Sequence, residues 1–216
     1  MDIRWDHERE QRTGIPEVIF SPGKSSWQLA RLFEEASASK QLLIATQLSK
    51  AQMEALNGLA TVDQDSRTAI LHPRPMKKLA PVGLLTGGTG DIPVLLEAKA
   101  LLDALGYPSK SFFDVGVAGL HRLHGVLEEI RECPVLLVAA GMEGALPSVV
   151  AGLVDAPVIA VPTSIGSGIS LGGTVALHAM LASCSPGIAV VNIDNGFGAA
   201  CMAIKMINRM IQDKKA

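Results

Sequence analysis

The chain is poor in cysteine, in aromatic residues and in net charge. Its 216 residues include three cysteines, Cys133, Cys184 and Cys201, too few and too far apart for a disulfide framework or a zinc site. Aromatics make up 4% of the composition, and 19 basic residues stand against 21 acidic ones for a formal net charge of −2. A nucleic-acid binder needs a basic face and stacking rings, and this composition supplies neither. Long apolar runs are missing too. Hydrophobic residues reach 48% and the mean hydropathy is +0.31, which excludes a disordered chain. Yet the most apolar stretch, 135–161, is broken by Gly141, Glu143, Pro147, Asp155 and Pro157, so no run reaches the ~18 residues a membrane helix requires. The opening Met1-Asp2-Ile3-Arg4-Trp5-Asp6 has no apolar signal region. The expectation is a soluble cytoplasmic protein with free thiols, long enough to bury a sizeable core.

Charge and glycine are distributed unevenly. Residues 1–78 carry more than half of the charged residues but only three of the 21 glycines. The change falls at His72-Pro73-Arg74-Pro75-Met76-Lys77-Lys78, where two prolines disfavour helix and suit an exposed connection. Two domains are therefore expected, 1–78 and 79–216. The first reads as a small α+β unit. It has short strands at 18–20 and 41–45, and a helix over 26–36 with an apolar face of Trp27, Leu29, Ala30, Leu32 and Phe33. A second helix, N-capped by Ser49, ends near Asn57-Gly58.

The second segment alternates strand and helix. Short β-branched runs at 82–85, 135–140, 158–161 and 188–193, with a weaker one at 111–115, suit buried parallel strands. Helices are expected at 92–105, 117–131, 145–154, 172–182 and 197–212. The first of these has Asp91 as N-cap, Pro93 in its first turn and Gly106 past its end. This rhythm predicts an α/β fold with a doubly wound parallel sheet of the Rossmann or flavodoxin-like kind. Each strand leads into a glycine-bearing loop, and in such sheets the carboxyl-end loops form the ligand crevice. Glycines admit a ligand close to the backbone and helix N-termini attract anions, so a nucleotide or phosphorylated small molecule is the natural tenant.

Standard nucleotide signatures fail. Pro22-Gly23-Lys24-Ser25 resembles the tail of a P-loop, but Val18 stands where the upstream glycine belongs. Gly166 and Gly168 lack the third glycine of a dinucleotide fingerprint, with Leu171 in its place. Glu143, in Gly141-Met142-Glu143-Gly144, is either a dipole partner for the following helix or, in a dry crevice, a proton-transfer group. Cys184 lies in a polar Ser/Pro/Gly turn, where a thiol is accessible and its thiolate nucleophilic, whereas Cys133 and Cys201 read as core residues. His121 and His124 are three apart, yet nothing is spaced to complete a metal site. A polar or substrate-facing edge is preferred for His121 and Arg122.

Four stretches, 114–123, 141–150, 157–164 and 191–200, together with 12–20 and Gly23-Lys24, closely resemble the LarB family of nickel-pincer cofactor biosynthesis proteins. The catalytic domain of that family is similar to PurE, the aminoimidazole ribonucleotide carboxylase/mutase. The resemblance spans nearly the whole chain. It implies a pyridinium-3,5-biscarboxylic acid mononucleotide synthase that carboxylates the ring of nicotinic acid adenine dinucleotide with CO2 (or bicarbonate as its source) and hydrolyses the phosphoanhydride to release AMP. It places the nucleophile on Cys184 and the proton-handling carboxylate on Glu143. Substrate contacts are implied for Gly88, Thr89, Gly90, Asp91, Asp114, His121, Arg122, Gly141, Met142, Ser164, Gly166 and Asn195. No tightly bound cofactor or metal site is implied, although a phosphoanhydride step is compatible with Mg²⁺. The partner is a further copy of the chain in a homo-oligomer, an octamer being one option. Gly88-Thr89-Gly90-Asp91 departs from the family's Gly-Thr-Ser-Asp by losing a hydroxyl at position 90. Cys184 follows a helix and Glu143 a strand, which sets them toward opposite sheet edges, so they are expected to meet either in a site shared between subunits or through a bent approach of the 183–187 turn. The alternatives are a PurE-type mutase, which needs no cysteine, and a non-catalytic nucleotide-binding sensor.

Overall fold

In the computed structural model, which describes residues 6 and 8–213, the chain divides into two units, Met1–Pro75 with Ala104–Gly106, and Met76–Asp103 with Tyr107–Ala216. The N-terminal unit contains α1 (Arg9–Thr13), β1 (Ile19–Phe20), α2 (Ser26–Ala38), β2 (Leu43–Thr46), α3 (Lys50–Leu56), β3 (Thr61–Asp63) and β4 (Thr68–Leu71). Its sheet has the order β1-β2-β4-β3, with β1 parallel to β2 and the other pairs antiparallel.

Serines start both long helices of this unit. Ser25 and Ser49 each form a reciprocal capping box with a glutamine three residues on, Gln28 and Gln52, satisfying amides that a helix start otherwise leaves unpaired. α2 buries Leu29, Leu32, Phe33 and Ala36 in a core shared with Ile19, Leu43, Ala45 and Ala69. Trp27 does not join that face: it is 66% exposed, with the Arg31 guanidinium 5.7 Å from its ring centroid. As the second residue of the helix it lies off the buried stripe, so the expected apolar face is narrower than the sequence suggests. The Pro22–Ser25 segment is a turn held from behind. Gln52 is buried and its Nε2 donates to the carbonyls of Ser21 at 3.1 Å and Lys24 at 2.7 Å. The β3–β4 hairpin and α1 were not anticipated. The hairpin turns on Asp63, whose carboxylate accepts the amides of Asp65 and Ser66, an Asx turn inside a polar stretch.

The second unit contains β5 (Val82–Thr86), α4 (Ile92–Ala104), β6 (Ser109–Phe112), α5 (Leu120–Arg131), β7 (Leu136–Ala140), α6 (Leu146–Ala151), β8 (Val158–Pro162), α7 (Thr174–Leu181), β9 (Ile188–Val190) and α8 (Gly196–Asp213). All five strands are parallel, in the order β6-β5-β7-β8-β9, the flavodoxin-like winding. β5, β7 and β8 are buried along their whole length, as strands covered on both faces must be. β6 runs over 109–112 rather than 111–115, because Asp114 turns into the left-handed region at φ 60° and ends it. β9 stops at Val190 rather than 193. Asp91 is not the N-cap of α4. It closes a 3₁₀ turn, Thr89–Asp91, that runs straight into the helix. Among the described residues no helix is long and apolar enough to cross a membrane.

Gln52 fixes both the start of α3 and the turn before α2, so Gln52→Ala should cost about 2–3 kcal/mol, the sum of a few buried hydrogen bonds. Urea denaturation of the purified chain measures this.

Candidate active site

The strand order reverses between β5 and β7, and the loops leaving those two strands diverge there. A cleft of about 240 Å³ opens at this point, the switch position at which such sheets bind ligands. Gly87, Gly88, Gly90 and Asp91 line it from the β5 loop, Gly116–Ala118 and Arg122 from the β6 side, Gly141-Met142-Glu143 with Ala145 and Leu146 from the β7 side, and Ile165 from the β8 loop.

Asp91 braces these loops. It is buried, and its carboxylate accepts the Thr163 hydroxyl at 2.6 Å and the Gly88 amide at 2.8 Å. Burial pushes its pKa above the ordinary carboxyl range and the nearby Asp194 adds to this, while bonds from Thr163 and the Gly88 and Gly141 amides pull the other way. The β7 and β8 loops touch directly: the Met142 amide donates to the Ile165 carbonyl at 2.9 Å. A Cβ on residue 141 would fall 2.0 Å from that carbonyl, so only glycine permits the approach. On the β8 side the Ser164 amide donates to Asp194 at 2.8 Å, and Asn195 accepts the Gly198 amide at 2.8 Å, capping the start of α8.

Arg122 reaches the rim of the cleft and forms an ion pair with Asp114. Asp114 is itself held by its amide, which donates to Thr86 Oγ1 at 3.0 Å. Pairing leaves the guanidinium oriented, with donors to spare for a phosphate or carboxylate. Glu143 stands exposed at the cleft beside Met142, which adopts a left-handed φ of 52°. At position 90 the missing hydroxyl has a neighbour: a Cβ there would lie 3.2 Å from Ile165 Cγ2, so Ile165 takes up space a side chain would need.

Of the residues anticipated from sequence, Gly88, Gly90, Asp91, Arg122, Gly141, Met142 and Glu143 line one cleft. Thr89, Asp114, His121, Ser164, Gly166, Asn195 and Cys184 do not line it. His121 is exposed on the first turn of α5. Cys184 is exposed, Cys133 buried and Cys201 intermediate. The turn carrying Cys184 lies at the opposite sheet edge, where the Gly187 carbonyl accepts the amide of Val158, the first residue of β8. The span of β8, about 16 Å at ~3.3 Å per residue, separates that edge from the cleft. The same turn is stapled to α6, the helix that follows Glu143. Ser148 donates its hydroxyl to Ser183 at 2.7 Å and its carbonyl accepts from Ser185 Oγ at 2.8 Å. Thr163 and Ile165 were not singled out from sequence, although the glycine-bearing loop after β8 that carries them is one of those expected to form the crevice.

The AIR carboxylase family matches residues 81–215, and the LarB/PurE-like N-terminal domain matches residues 2–73. An uncharacterized protein of Methanocaldococcus jannaschii is 41% identical over 213 residues, covering 93% of this chain and 82% of that protein. The N5-carboxyaminoimidazole ribonucleotide mutase of the same organism is 35% identical over 131 residues, 57% of this chain and 76% of the relative. A phosphoribosylaminoimidazole carboxylase of Candida albicans is 27% identical over 206 residues, 87% of this chain but 35% of its own length. The chain therefore belongs to the AIR carboxylase family, in its LarB-type branch with a PurE-like domain and the matching N-terminal domain.

The Asp91 brace has a stability signature. Asp91→Ala should cost about 2–3 kcal/mol by orphaning the Thr163 hydroxyl and the Gly88 amide. Because the folded pKa is raised, the contribution of Asp91 is fullest below its unfolded value and is lost as pH rises through the folded one. The stability of wild type relative to Asp91→Asn, which cannot ionise, should therefore fall as the pH is raised above the ordinary carboxyl range, as measured by denaturation at several pH values.

Proposed function

We infer that the chain is a carboxylase and hydrolase of the LarB type: it carboxylates the pyridinium ring of nicotinic acid adenine dinucleotide and cleaves the phosphoanhydride, releasing AMP and pyridinium-3,5-biscarboxylic acid mononucleotide. The observation that carries this reading is the cleft at the switch point, which joins glycine-rich loops, an oriented guanidinium and a free-standing carboxylate, Glu143. The LarB-type N-terminal domain supports it further.

The residues suit the chemistry in order. A pyridinium ring is too electron-poor to attack CO2. Addition of the Cys184 thiolate at ring carbon 6 places an electron pair in the ring and makes carbon 5 nucleophilic. Carbon 5 then bonds to the carbon of CO2. Glu143 takes the proton from carbon 5, the carbon–sulfur bond breaks with its electron pair returning to sulfur, and the ring regains its aromatic cation. Water adds to the phosphoanhydride in the separate hydrolytic step. Arg122 and the helix starts around the cleft suit the anionic groups of the substrate.

A single chain keeps Cys184 and Glu143 on different sheet edges, so this mechanism needs a homo-oligomer in which the Cys184 turn of one subunit meets the cleft of another. Exposed apolar side chains support such packing: Met142, Ile165, Ile169, Leu171 and Leu181 are all solvent-facing in the single chain, Ile169 at 90%. A run of this kind is what a subunit contact covers. The second reading is a PurE-type mutase, favoured by the relatives that carry that name; it would use the same cleft and leave Cys184 idle.

Incubation with nicotinic acid adenine dinucleotide and bicarbonate should yield AMP and a mononucleotide heavier by one carboxylate, detected by mass spectrometry. Cys184→Ser should abolish the product, and Glu143→Gln should lower kcat by about 10²–10⁴-fold. Full activity of Cys184→Ser, or turnover of N5-carboxyaminoimidazole ribonucleotide instead, contradicts the reading.

A further inference from the structure

Glu97 is a carboxylate only 5% exposed, in the middle of α4 and flanked on that helix by the buried Leu95, Ala98 and Leu101. It lines no part of the cleft and the proposed chemistry does not use it. Burying such a group is costly unless charge or hydrogen bonds compensate. Its Oε2 accepts the amide of Phe197 at 3.3 Å, the second residue of an 18-residue helix. The carboxylate therefore sits at the positive end of α8, as a cap supplied by a different helix. α4 and α8 also meet at close range there: a Cβ on Gly196 would fall 2.0 Å from the Val94 carbonyl.

What α8 anchors lies one step upstream. Asp194, two residues before the helix, is in the left-handed region at φ 56°. Its amide donates to the Pro162 carbonyl at 2.9 Å, and its carboxylate accepts the Ser164 amide at 2.8 Å. Ser164 is followed by Ile165, a wall of the cleft. On its other side the same loop is held by Asp91 through Thr163, and Asp91 directly precedes α4. The β8 loop thus hangs between two aspartates, one at the start of α4 and one just before α8, and Glu97 joins those two helices.

We propose that Glu97 is a positioning residue for the cleft: by fixing the start of α8 against α4 it holds Asp194, and through it Ser164 and the Ile165 wall, in the place substrate requires. Its effect on catalysis rests on the dinucleotide reading above; its effect on the loop does not. A purely structural role would weaken the packing of α4 on α8 and leave the Ser164 amide as it was.

Native-state hydrogen exchange on the full chain without substrate separates the two. Glu97→Ala removes the acceptor. Glu97→Asp keeps the carboxyl group but withdraws it by a methylene, so it tests the same bond should the alanine variant fail to fold. In either, exchange at Phe197 and Ser164 should accelerate together by about tenfold or more, the signature of one local opening unit. Glu97→Gln retains an acceptor and should protect both amides. With nicotinic acid adenine dinucleotide, kcat/KM should fall about 10- to 100-fold in Glu97→Asp, chiefly through KM, the scale of a misplacement of ~1 Å, and Glu97→Gln should restore it. Acceleration confined to Phe197, or an unchanged KM in a folded, active variant, overturns the proposal. If the wild-type protein does not process the dinucleotide, the carboxylase reading fails while the exchange result still decides whether Glu97 holds the loop.

Discussion

Asp91 receives the Thr163 hydroxyl at 2.6 Å and the Gly88 amide at 2.8 Å, and through these bonds the loops after β5 and β8 are tied across the floor of the cleft. A parallel sheet leaves its carboxyl-end loops without strand partners, so something other than the ladder must set their positions. Here it is a buried acid, whose raised pKa records the strain of keeping a carboxylate out of water. The contact of Met142 with the Ile165 carbonyl and of Ser164 with Asp194 completes the tie. With the backbone so restrained, Arg122 and Glu143 can face solvent and remain available to a ligand.

The division of the candidate chemistry between two sheet edges follows from winding. Every helix returns the chain from the carboxyl edge to the amino edge, so a residue that follows a strand and one that follows a helix cannot share an edge. Glu143 belongs to the first kind and Cys184 to the second. The serine staple between Ser148, Ser183 and Ser185 fixes the Cys184 turn against α6, so the turn is presented as a rigid feature that a neighbouring subunit's cleft could receive.

Much of this was legible from the residues. The buried strands announced themselves as β-branched runs at 82–85, 135–140 and 158–161, because burial on both faces leaves no room for polar alternation. Ser49 signalled its helix, and the Ser/Pro/Gly setting of Cys184 signalled its exposure. Elsewhere the local signal was weak or pointed elsewhere. β6 reads Ser-Lys-Ser-Phe, an edge strand with polar outward residues, and the β3–β4 hairpin alternates in a stretch too short and polar to register. Asp91 looked like a helix cap because caps are local, whereas its partner Thr163 is 72 residues away. Long-range partners of this kind are set by the fold and leave no periodicity to read, which is why the bond of Asp91 to Thr163 and the place of Glu97 escaped notice.

The proposed pairing of one subunit's Cys184 with another's Glu143 can be measured in mixed oligomers. Cys184→Ser chains, inactive alone, and Glu143→Gln chains, strongly impaired alone, are unfolded together, reassembled as mixed oligomers and assayed for AMP release and the carboxylated mononucleotide. A site built from two subunits should recover about a quarter of wild-type activity in a 1:1 mixture, since each composite site draws its two residues independently from the subunit pool. A mixture no more active than its parents, with mixed assembly verified by mass spectrometry, would contradict a site shared between subunits.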